Sequence, residues 1–146
     1  MDKSWNNRCN DGINSQISLL FKSSYNYHYL FSYFNKHNVG LQNISNFFNI
    51  CSLEERHNSH KFIEYQNKRG GIVCFNNIES PAIDLNNGAT DILEAFKISY
   101  LLEETSYDNL LKLHKIAEEV GDNDFAEFIQ IEYLKEKHDI INEIKL

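Results

Sequence analysis

The sequence predicts an all-α fold: a single antiparallel four-helix bundle over residues 1–146, with one long crossover between its second and third helices. Three observations carry that prediction. Apolar residues recur at alternating steps of three and four in four separate segments, the repeat of a helix buried along one stripe. The 146 residues include one proline, Pro81, and six glycines, too few for a fold built from many tight turns. Between the second and third segments lie about sixteen residues without a helical stripe, long for a connection inside a compact domain.

The first stripe runs Ile13, Ile17, Leu20, Ser24, Tyr27, Phe31 and Phe34, and predicts a helix over roughly 11–37. Leu41, Ile44, Phe48, Cys51, Glu55, Asn58, Phe62 and Tyr65 form the second, over 40–69, closed by the glycine stop Gly70-Gly71. The crossover follows at 70–87. Ile92, Phe96, Ser99, Glu103, Ser106, Leu110, Leu113, Ala117 and Val120 give a third helix over 88–120, with Gly121 as its C-terminal cap. Asp122 is placed to cap a fourth helix over 122–146, whose stripe is Ala126, Gln130, Tyr133, Lys137, Ile140 and Ile144.

A net charge of −7 argues against nucleic acid or an anionic membrane as a partner, because both require clustered Lys and Arg. No apolar run approaches the ~18 residues of a membrane span. Three cysteines, Cys9, Cys51 and Cys74, form no CxxC pair and indicate neither a disulfide framework nor a zinc knuckle. The first residues lack a hydrophobic signal core, so the expected location is cytoplasmic.

The informative positions are those where a stripe turns polar. Glu55 and Asn58 interrupt the second, Glu103 the third and Lys137 the fourth, while Tyr27 faces inward on the first. A buried carboxylate demands a cation, a hydrogen-bond network or a shifted pKa. Glu55 and Glu103, near mid-helix, could grip a divalent metal through hard oxygen ligands. The alternative is that Lys137 neutralises both glutamates as a buried ion pair. Glu54, His57 and His60 share another face of the second helix, as a weak cation site or as solvated surface residues.

Several blocks resemble the eukaryotic ferritins. They are Ile13-Asn14-Ser15-Gln16-Ile17, Tyr33-Phe34 with Val39-Gly40-Leu41, Ser52-Leu53-Glu54-Glu55-Arg56, and Tyr65-Gln66-Asn67-Lys68-Arg69-Gly70-Gly71. Leu110-Leu111-Lys112-Leu113-His114-Lys115-Ile116-Ala117, Phe128-Ile129 and Tyr133-Leu134-Lys135-Glu136 continue the match in order. The resemblance implies a ferritin-like bundle in a shell of twenty-four subunits that stores iron, taken up as Fe(II) and held as Fe(III).

It also implies where a di-iron ferroxidase site would lie. Its first-helix glutamate falls on Leu20, its Glu-x-x-His on Glu55 and Asn58, its third-helix glutamate on Glu103, its glutamine on Lys137 and its tyrosine on Tyr27. Two glutamates and the tyrosine survive; Leu20, Asn58 and Lys137 are losses. The pattern resembles light-type chains, which support mineral deposition without efficient ferroxidase activity. The mineral-nucleating face falls on Glu54, His57 and His60, and the threefold iron-entry pore on Glu127 and Gln130, with His114 nearby. Ferritins continue into a short fifth helix, whereas this sequence ends at Asn142-Glu143-Ile144-Lys145-Leu146. The fifth helix is therefore expected to be absent, and the shell to be homo-oligomeric or completed by full-length partner chains. Two other readings stay open: a residual ferroxidase at Glu55 and Glu103, and a structural or assembly-modulating relative that has left iron metabolism.

Overall fold

Four helical rods follow the four stripes. In the computed structural model, residues 4–37, 39–86 and 88–144 are described, with Lys135, Ile140, Glu143 and Ile144 described by backbone alone. The end of the fourth stripe at Ile140 and Ile144, and the chain end at Lys145 and Leu146, lie outside the described side chains and residues. The rods are α1 (Asn7–Phe34), α2 (Gln42–Lys68), α3 (Asp91–Glu119) and a fourth made of α4 (Asn123–Ile129), a π-helical turn over Gln130–Leu134, and α5 (Lys135–Ile144). The segment α5 is thus the second half of the fourth rod.

Helix ends follow local chemistry. The first rod starts four residues before the expected position 11, because the Asn6 side chain accepts a hydrogen bond from the Arg8 amide at 2.8 Å and caps it. Trp5 and Cys9 then extend the buried stripe back from Ile13. Gly70 (φ 77°) and Gly121 (φ 74°) turn the chain out of α2 and α3 in the left-handed conformation that glycine adopts without strain. Asp122 caps α4 as expected, accepting from the Phe125 amide at 3.0 Å.

Hydrogen bonds between rods fix their directions. Ser24 bonds the Ser52 carbonyl, Ser45 the Phe31 carbonyl and Gln66 the Asn10 carbonyl, so α2 runs antiparallel to α1. Tyr33 bonds Asp91, Tyr27 bonds Glu103 and Gln16 bonds Ser106, so α3 also runs antiparallel to α1. Two successive rods pointing the same way require a crossover that returns the whole length of the bundle. It lies along α1, with Asn14 bonding the Ile72 carbonyl and the Cys74 amide, and Asn76 bonding Ser18. This is the one-crossover bundle predicted from the length of the unstriped stretch.

The fourth rod departs from expectation in register. Its buried residues are Phe125, Ile129, Tyr133 and Lys137, while Ala126 is half-buried and Gln130 exposed. Three steps of four along a uniform α-helix rotate a face by about 120°. The π-turn over Gln130–Leu134 widens the helix locally and absorbs that drift, holding all four residues toward the core.

The core forms two apolar clusters. One contains Trp5, Ile17, Leu20, Phe62, Leu110, Phe125 and Tyr133; the other contains Tyr27, Leu30, Phe34, Phe48 and Ala95. Along α2, Glu55 falls between Phe48 and Phe62, and along α3, Glu103 falls between Ala95 and Leu110. A polar layer therefore separates the two clusters at mid-bundle. Among the described residues no helix is long and apolar enough to cross a membrane.

Candidate functional site

The polar layer is built from one residue of each surrounding rod. Glu55 comes from α2, Glu103 from α3, Tyr27 from α1 and Lys137 from α5, delivered inward by the π-turn. Lys137 Nζ donates to Glu55 Oε1 at 2.7 Å and to Glu103 Oε2 at 2.8 Å. The Tyr27 hydroxyl donates to the other Glu103 oxygen, Oε1, at 2.8 Å, and lies 2.8 Å from Ser99 Oγ. Lys137 is 1% exposed and the two glutamates 4% each, so water screens these contacts little.

The charges do not balance: one ammonium faces two carboxylates. Burial pushes the Glu55 carboxyl up to about 7 and the charge of Glu103 adds to the rise, while Lys137 opposes it. Burial alone would lower the Lys137 pKa, but Glu55 and Glu103 outweigh it and keep the ammonium charged. Burial, then Glu103, holds the Tyr27 phenol protonated far above the usual range, which suits its role as a donor. Glu55 Oε2 finds no hydrogen-bond partner among the described residues.

The other expected site residues are distributed elsewhere. Leu20 is fully buried among apolar neighbours. Asn58 is buried one turn beyond Glu55, and its backbone carbonyl accepts from the Tyr133 hydroxyl at 3.5 Å. Glu54, His57 and His60 are exposed on α2. His114 lies 3.2 Å from Glu118 through Nδ1, whereas Glu127 stands in an open groove with Glu64, Asp124 and Glu132. Among the described residues, no three or more His, Cys, Asp or Glu side chains are grouped to hold a metal ion.

At the bundle centre the donor set does not fit a metal. Each glutamate commits one oxygen to Lys137, and Glu103 commits the other to Tyr27. An ammonium has no lone pair to offer, and it lies within ion-pair distance of both carboxylates that would bind a cation.

Ser99 is the member of this site that sequence reading did not assign. It sits one turn before Glu103 on the same stripe, and that spacing is the signal that could have found it. A second buried network was also missed. Arg69 pairs with Asp122 through both guanidinium ends at 3.1 and 2.7 Å, bonds Ser4 and Tyr65, and lies over the Trp5 ring. It ties the N-terminal segment to the α3–α4 turn.

A family model described as a ferritin-like domain matches residues 10–146. Ferritin-1, chloroplastic, of Brassica napus is 39% identical over 133 residues, covering 90% of this chain and 52% of the relative. Ferritin-1, chloroplastic, of Nicotiana tabacum is 38% identical over 137 residues, covering 93% and 55% respectively. Ferritin-2, chloroplastic, of Zea mays is 37% identical over 137 residues, covering 93% and 54%. The chain therefore spans about half the length of these curated relatives. Their chloroplast location overturns the cytoplasmic expectation. The absence of a hydrophobic signal core speaks only to secretion; organelle transit segments are amphipathic and have no such core.

Proposed function

The chain belongs to the ferritin family, and on that premise we propose that it is an iron-storage subunit whose bundle centre does not oxidise iron efficiently. The observation that supports this reading is the Lys137 ammonium bonded to both surviving glutamates. Iron is here the cargo. Fe(II) oxidation at the centre would need several carboxylate oxygens free to bind it, and Lys137 and Tyr27 engage all but Glu55 Oε2. Leu20 adds an apolar side chain where the resemblance implies a carboxylate, and Asn58 an amide where it implies an imidazole.

Handling of iron is then assigned to the surface. Glu127 is the proposed point of entry, with His114 on the neighbouring rod. Glu54, His57 and His60, all exposed on α2, form the proposed face toward the mineral. The proposed assembly is a multi-subunit shell, of this chain alone or with complete ferritin chains, and its proposed compartment is the plastid, as for its relatives.

Stopped-flow oxygenation of Fe(II), with a complete ferroxidase-active ferritin as control, tests the reading. The expected result is slow oxidation, no faster than with an unrelated protein of similar charge. A fast phase that scales with subunit number and disappears in Glu103→Ala would replace it with the residual ferroxidase reading.

A further inference from the structure

We infer that Lys137 is a tethered cation that takes a metal's place at the bundle centre, holding α2, α3 and α5 together while closing the centre to divalent ions. The inference rests on the storage reading only for the identity of the site. Three observations carry it.

The ammonium lies at ion-pair distance from one oxygen of each glutamate, 2.7 Å from Glu55 and 2.8 Å from Glu103. A cation bridging two carboxylates from different rods is the connection a metal would make, and lysine makes it with a covalently attached charge. The delivery is specific, because the π-turn sets the rotation that brings Lys137 onto the buried face with Phe125, Ile129 and Tyr133. Finally, the surroundings oppose an incoming dication: among the described residues only Glu55 Oε2 is left without a hydrogen-bond partner, and Lys137 lies against that same carboxylate. Phe48, Phe62 and the Tyr133 ring bury the layer, so like charges repel without solvent screening. A metal taking both carboxylates would separate the ammonium from its two partners and leave a charge unpaired at the buried centre, which is strongly unfavourable. The same two glutamates become ligands once the lysine charge is removed.

The test is thermal unfolding of the full chain, with and without Co(II), followed by circular dichroism and by the visible absorption of bound Co(II). For the unsubstituted chain, no Co(II)-dependent rise in Tm is expected from the centre. Any rise that Glu55→Gln retains unchanged comes from surface residues and agrees with a closed centre. A rise accompanied by Co(II) absorption bands, both lost in Glu55→Gln, would overturn the inference. Lys137→Gln should melt lower without metal and regain about 5 °C or more with Co(II). Folded Lys137→Gln protein that ignores Co(II) would also overturn it. Should that variant not fold, the comparison of the unsubstituted chain with Glu55→Gln still decides. These outcomes are independent of whether the shell stores iron, which the oxygenation experiment and iron loading measure separately.

Discussion

Replacing Glu55 by glutamine should make the protein more stable above neutral pH and remove a component of its pH dependence. One ammonium serves two carboxylates in the polar layer, so a negative charge is in excess. Burial, reinforced by Glu103, lifts Glu55 from its ordinary 4.5 to about 7. The folded state therefore holds this proton more tightly than the unfolded chain does. A carboxyl with a raised folded pKa contributes stability in full below about 4.5, and that contribution is lost as the pH climbs through about 7. At ~1.4 kcal/mol per pH unit, the gap between 4.5 and about 7 amounts to about 3 kcal/mol. With Glu55 only 4% exposed, solvent screening takes little from that figure. The glutamine of the Glu55→Gln variant would keep a carbonyl oxygen for Lys137 to donate to while removing the excess charge. Thermal melts of both proteins, at equal concentration and from about pH 5 to about pH 8, read the effect, since titrations of groups that do not feel Glu55 cancel in the difference. The unsubstituted chain should fall behind the variant by about 6–12 °C across that range. Parallel curves would refute the argument that Glu55 carries the excess charge.

Three further outcomes are expected. Tyr27→Phe removes a hydrogen bond to the buried Glu103 carboxylate and should cost about 2 kcal/mol, read from equilibrium urea unfolding. Asp122→Ala leaves Arg69 without its bidentate partner and α4 without its cap, and should cost about 3–5 kcal/mol; Asp122→Asn, which can still cap, should recover about 1 kcal/mol of that. Gly70→Ala forces a side chain into a φ of 77° and should cost about 1–2 kcal/mol with helix content unchanged by circular dichroism.

The helices were legible because burial along one face imposes a period that sequence displays directly. The polar layer was legible for the complementary reason: Glu55, Glu103 and Lys137 stand at positions where an apolar residue would stabilise more. The ion pair that joins them was legible as one of two readings, and the structure shows it; the choice between it and a metal depended on the register between rods, which no single stripe contains. Ser99 reads as a small residue that merely keeps the spacing. The start of α1 was missed because Asn6, Asn7 and Asn10 hide the continuation of the stripe through Cys9 to Trp5. Phe125 and Ile129 were missed in favour of Ala126 and Gln130, since a uniform helical period admits no added residue. The Arg69 network joins residues 4, 65, 69 and 122, too far apart in sequence for a periodic reading to connect.

The widened turn at Gln130–Leu134 has a consequence for how this rod can change. It acts as a swivel between two stretches that answer to different neighbours. The α4 side settles against Trp5, Tyr65 and Phe62 through its aromatic rings, whereas the α5 side is oriented by charge. Tightening the turn into uniform α-helix at unchanged length would rotate the far stretch by about 80° relative to Ile129 and swing position 137 off the glutamates, whereas removing one residue from the turn would leave Lys137 two full turns beyond Ile129 and still facing the core. The bundle centre therefore depends on the widened form of a five-residue turn as much as on the lysine beyond it.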